Sequence, residues 1–138
     1  ELVRLMLCSS RTGGCAAELH LDGPWQLTEK NIEKVAKLAA PGAFVLGVVK
    51  GGQFLVSYVG RDDEDVQAAI FDAYDRHGRA THFKMSYLAT AHAAWQKHCH
   101  LWHGYGGAEG KLYNREHPEP PAGSRIECPV CGYPMKKK

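Results

Sequence analysis

Cys128 and Cys131 stand two residues apart near the C-terminal end of the chain and are followed at once by Gly132. That spacing lets two thiolates chelate one ion, and the glycine relieves a tight turn whose amides point at sulfur. A redox Cys-x-x-Cys would sit at a strand–helix junction, whereas this one follows the proline-rich run EHPEPPAG, which favours metal. A structural zinc site takes four ligands. Cys99 and His103 are four residues apart in AHAAWQKHCHLWH, on one face of a helix, and complete an expected zinc set of Cys99, His103, Cys128 and Cys131. Cys8, Cys15, His98, His100 and His117 are competing donors, and Cys99 beside Trp95 and Trp102 also fits a small buried core residue. Five cysteines, an odd number, point to metal in a reducing compartment, the cytoplasm, rather than to a secreted disulfide framework.

The elements that must position these donors can be read from pattern and punctuation. GAFVLGVVKGGQFLVSYVG, residues 42–60, holds two β-branched and aromatic runs around Gly51-Gly52, which supply the positive φ of a tight hairpin. Pro41-Gly42 introduces the hairpin and Gly60 closes it. The acidic residues 62–65 then suit the first turn of a helix over residues 63–77, with Val66, Ala69, Ile70 and Ala73 on its apolar face and Gly78 at its end. Thr28 caps an earlier helix, EKNIEKVAKLAA, which Pro41 stops, and Thr90 caps the later one that carries Cys99 and His103. Between these, THFKMSYL alternates as a half-buried strand, and residues 2–25 read as one or two short strands with loops. The expected fold is α+β: a small antiparallel sheet with flanking helices in the order β-β-α-β-α. The expected divisions are an N-terminal extension (1–40), a central domain (41–118) and a proline-rich tail (119–138) whose Cys-x-x-Cys packs on that domain.

A strand opening on glycine, a hairpin, a second strand ending Tyr-Val-Gly and then a helix resembles the opening of the GIY-YIG nuclease superfamily. The matching tripeptides are Gly42-Ala43-Phe44 and Tyr58-Val59-Gly60. The resemblance spans residues 42–118, and a Cys-x-x-Cys tail is found in some bacterial members. It implies a site in which two tyrosines lie beside water and scissile phosphate. An arginine on the first helix meets the phosphate, a glutamate on a later helix holds Mg²⁺ or Mn²⁺, and an asparagine supports the whole. Carried onto this sequence, the first tyrosine falls on Phe44, and Tyr58 keeps the second. The arginine falls on Ala68 or Ala69, the glutamate on His98, and Asn114 matches the asparagine. Arg61 follows the second tripeptide directly. Neither alanine can hold a phosphate, and Mg²⁺ prefers hard oxygen ligands to an imidazole.

At 138 residues, 44% apolar and 23% charged, the chain suits one soluble globular unit, and no run approaches a membrane span. The net charge of +2 conceals an asymmetry. Residues 42–75 carry two Lys/Arg against six Asp/Glu, residues 76–138 ten against four, and seven of the eight histidines lie in the latter stretch. A basic half of this kind suits phosphates, through Arg76, Arg79, Lys84, Lys97, Lys111 and Arg115, and Arg61, outside it, is a further candidate contact. The expectation is therefore a zinc-stabilised, GIY-YIG-like domain without nuclease activity that binds nucleic acid or protein, and no membrane. Two alternatives stand beside it. One is an active nuclease using Mg²⁺ or Mn²⁺ with its chemistry re-sited on Tyr58, Asn114 and the histidines. The other is a purely structural zinc-binding domain.

Overall fold

A computed structural model describes residues 19–134. Four antiparallel strands form one sheet: β1 (Asp22–Gln26), β2 (Gly42–Lys50), β3 (Gln53–Asp62) and β4 (His82–Tyr87), in the spatial order β1-β4-β2-β3. Three helices flank it, α1 (Glu29–Val35), α2 (Val66–Arg76) and α3 (Ala91–Gly104), followed by a short 3₁₀ turn over Gly107–Glu109. The α+β class and the antiparallel sheet are as expected. No helix among the described residues is long and apolar enough to cross a membrane.

Strand β2 is apolar at nearly every position because both of its faces are covered. Phe44 and Leu46 point to one side and meet Ile32 of α1 and Ala36 at its end, Val66, Ile70 and Ala73 of α2, and Phe83 and Met85 of β4. Ala43 and Val45 point to the other side and meet Val59, Leu101 and Trp102. Helices α1 and α2 therefore cover one face and α3 the other. Leu27, Ile32 and Ala36 belong to the same core as the central strands, so the described part of the N-terminal segment is built into the domain.

Several local expectations hold at the level of single atoms. Gly51 and Gly52 make the hairpin turn with φ of 59° and 81°. The hydroxyls of Thr28 and Thr90 accept from the backbone N–H groups of Asn31 and Ala93 at 3.1 and 3.0 Å. Others shift. The acidic run lies ahead of α2, not in its first turn: Asp62 accepts from the N–H groups of Glu64 and Asp65, and Asp65 is the N-cap. Helix α1 ends at Val35, well short of Pro41, and the Tyr87 hydroxyl accepts from the Leu38 N–H at 2.9 Å just beyond its end. Gly60 does not close β3, which runs on to Asp62. It faces Phe44 across the ladder, and a Cβ there would lie 2.5 Å from the Phe44 ring. That glycine makes room for an aromatic ring instead of breaking a strand.

Candidate metal centre

The last turn of α3 and the C-terminal loop bring together four donor side chains. The ligand atoms of His103, His117, Cys128 and Cys131 all lie within 4.8 Å of one another, so the group could hold a metal ion. His103 is placed by the helix. Cys128 and Cys131 are placed by a turn in which the Gly132 N–H bonds the Cys128 carbonyl at 2.9 Å and the Val130 N–H points at the Cys128 sulfur at 3.3 Å. Gly132 has φ of 82°, a conformation that the glycine after a Cys-x-x-Cys is suited to supply.

Two of the donor distances are close to those around a tetrahedral ion. With bonds of about 2.05 Å to nitrogen and 2.3 Å to sulfur, a regular tetrahedron has edges of roughly 3.3 Å between two nitrogens and 3.6 Å between nitrogen and sulfur. The Nε2 atoms of His103 and His117 are 3.2 Å apart, and the Cys131 Sγ is 3.4 Å from His117 Nε2. The protonation pattern agrees. His117 Nδ1 lies 2.7 Å from the Pro118 carbonyl oxygen, which can only accept, so Nδ1 carries a proton and the neutral form of the ring would turn its Nε2 lone pair into the cluster. Burial, with His117 and His100 close by, holds the His103 pKa below its usual value and keeps that ring neutral. His117 itself stacks on Tyr133 at 4.3 Å and meets Trp102 edge-on at 5.1 Å, which fixes its ring plane.

Cys99, expected as the fourth ligand, stands outside this group, and His117 takes that place. Cys99 is about one helical turn below His103, four residues or about 6 Å along the axis. There it is fully buried against Trp95 and Cys128, with its thiol hydrogen-bonded to Cys128. Burial and the Cys128 sulfur push its pKa well above the ordinary thiol range. The alternatives Cys8 and Cys15 lie outside the described residues.

The positions implied by the GIY-YIG resemblance do not assemble into an open catalytic site. Phe44 is 1% exposed in the core. Tyr58 shares its side of the sheet, 6.1 Å from Phe44 between ring centres, and burial raises its phenol pKa. Ala68 and Ala69 lie on α2 and offer no charge. His98 belongs to the other side, where its Nδ1 meets the Arg61 guanidinium at 3.1 Å. Burial first, then Arg61 and His117, push the His98 pKa down to about 3. Its Nε2 is out of contact with solvent and makes no well-formed hydrogen bond among the described residues, although the Val59 backbone lies close enough to offset part of the shift. Asn114 is a structural clamp: its Oδ1 accepts from the Val59 N–H at 3.4 Å, and its Nδ2 donates to the Val59 carbonyl. The Trp102 Nε1–H holds the Asn114 carbonyl at 3.0 Å.

The basic residues are likewise mostly engaged. Arg61 is 10% exposed, bonded to both oxygens of Asp63 at 2.7 and 3.3 Å and lying over Trp95. Lys84 sits over the Phe54 ring, and Arg115 donates to the carbonyls of Gly110 and Leu112. Lys97 lies half-buried on α3. Arg76 and Arg79 share an open cleft of about 380 Å³ with His77, Gly78 and Tyr113. His77 carried no role in the sequence reading. Its only signal was its place between two arginines at a helix end. Comparisons with protein-family models, with curated proteins and with solved structures returned no significant match.

Proposed function

We propose that this chain is a zinc-stabilised, non-hydrolytic binding module of GIY-YIG-like architecture that engages nucleic acid. One observation carries the reading. The four clustered donors, all within 4.8 Å of one another, supply the number a closed tetrahedral site needs, and two thiols with two imidazoles suit zinc. A closed site leaves no position for water or substrate, so the ion's role is to staple the C-terminal loop to α3. The GIY-YIG-like reading is supported by the direct pairing of the two tripeptides on neighbouring strands, with Phe44 opposite Gly60.

The absence of hydrolysis rests on separate deficits. Phe44 has no hydroxyl and no path to solvent, the α2 positions are alanines, and His98 is held by Arg61. Asn114 is committed to Val59. Loss of one oriented donor alone costs about two to three orders of magnitude in other hydrolases. The test takes the purified full chain through elemental analysis, then incubates it with plasmid, linear and structured substrates in Mg²⁺ and Mn²⁺. One zinc per chain, no cleavage and salt-dependent binding are expected, since phosphate contacts release counterions. Metal-dependent nicking that Tyr58→Phe abolishes would overturn the reading in favour of a re-sited nuclease. Tight zinc without any nucleic-acid binding would leave only a structural domain.

A further inference from the structure

The cleft at the end of α2 contains a feature that neither the metal centre nor the implied catalytic positions account for. Three rings are arranged as a ladder leading out of the core. Tyr58 and His77 have centroids 4.4 Å apart with planes inclined by 32°, and His77 and Tyr113 follow at 5.1 Å and 24°. The inner ring is set by β3, the middle one by the C-cap of α2. The outer ring is set by the Tyr113 N–H, which bonds the Ser57 carbonyl at 2.7 Å on the edge of the sheet. Tyr113 is 47% exposed, so the ladder ends on a large aromatic surface open to solvent.

Cations flank that surface. Arg76 and Arg79 line the same cleft. Arg76 is paired with Asp72 at 3.2 Å, but both side chains are more than half exposed, and an ion pair of that kind is readily exchanged for a phosphate. Arg79 is exposed and makes no ion pair among the described residues. Burial and Arg76 keep the His77 pKa below its usual value, so at neutral pH the middle ring is an uncharged plane. The cleft volume, about 380 Å³, is at the low end for small-ligand sites and fits one planar group with its substituent.

We propose that this cleft is a stacking site for an unpaired base of a single-stranded nucleic acid, which extends the Tyr58–His77–Tyr113 ladder and lays its flanking phosphates on Arg76 and Arg79. The inference rests on the nucleic-acid reading above and narrows it. A base within a duplex has both π faces covered by its neighbours, whereas single strands and loops present faces to aromatic side chains. An acidic peptide would use the arginines but gain nothing from an exposed ring ladder. The pairing of a π surface with two exposed guanidinium groups, Arg79 without an ion pair among the described residues and Arg76 in an exposed, exchangeable one, is what selects a nucleotide unit.

The experiment uses the full chain with its metal and follows the anisotropy of labelled oligothymidylate, oligouridylate and a mixed-sequence duplex of equal length. Either single strand should bind more tightly than the duplex. Tyr113→Ala should weaken single-strand binding about tenfold, the loss of one stacked base, with little effect on the melting temperature because the side chain is exposed. Arg79→Gln removes no ion pair and should lower the slope of log K against log salt by about 0.7, one phosphate contact on a single strand. Duplex preference, or single-strand affinity that both variants leave unchanged, overturns the stacking site while leaving the nucleic-acid module in place. Failure of every nucleic acid to bind overturns both.

Discussion

Asn114→Ala is expected to be a folding defect, and its size can be worked from the sheet edge. Strand β3 is an outer strand, and the backbone groups of Ser57 and Val59 that face away from β2 need partners. The Tyr113 N–H satisfies Ser57, and the Asn114 amide satisfies both the N–H and the carbonyl of Val59. Val59 is 0% exposed, so water cannot replace the lost amide without rearrangement. Two hydrogen bonds at about 1 kcal/mol each, plus the cost of leaving a buried backbone pair partly unsatisfied, give roughly 2–4 kcal/mol. For a domain of this size each kcal/mol moves the melting temperature by about 3–5 °C, so a fall of about 10 °C is expected by calorimetry on the metal-loaded chain. Asn114→Asp should be no better, because it keeps an acceptor for the Val59 N–H but sets a carboxylate oxygen against the Val59 carbonyl. A fall of less than about 2 °C for Asn114→Ala, with nucleic-acid binding lost, would refute the clamp and return Asn114 to a ligand-contacting role.

Three further outcomes are expected. His117→Ala should lose the metal in elemental analysis while Cys99→Ala retains it, and the reverse pattern would restore Cys99 as a ligand. His98 has a pKa of about 3 when folded against 6.5 in the reference state, so the unfolded chain binds the extra proton between those values. Stability should therefore be lost as pH falls through that window, by up to about 1.4 kcal/mol per unit from this group. Urea titrations should show a shallower loss for His98→Gln, and an identical slope would contradict the assignment. Gly60→Ala should cost about 1–3 kcal/mol, because its Cβ would press on the buried Phe44 ring 2.5 Å away. An unchanged denaturation midpoint would mean that the ring has room to move.

Helix caps at Thr28 and Thr90, the Gly51-Gly52 reversal and the paired strands around it were legible in the sequence because each depends on a few adjacent residues. The Cys128-x-x-Cys131 half of the candidate metal centre was legible for the same reason: one turn sets both sulfurs. Only tertiary structure decided the other half. Helical spacing correctly placed Cys99 and His103 on one face, but which turn of α3 meets the Cys-x-x-Cys loop depends on how that loop packs against Trp95. His117 enters from a loop whose course no local pattern specifies. The same holds for charge. A count of lysines and arginines made the C-terminal half a basic surface, yet Arg115 is spent on the Gly110 and Leu112 carbonyls, whereas Arg76 and Arg79 are left beside a ring ladder. Tyr58, His77 and Tyr113 are far apart in the chain, and their stacking follows from where β3, the end of α2 and the sheet-edge segment meet. Residue type fixes what a side chain can do. Which partner it spends that capacity on is a matter of long-range packing, where contacts between distant segments compete and only the folded chain resolves them.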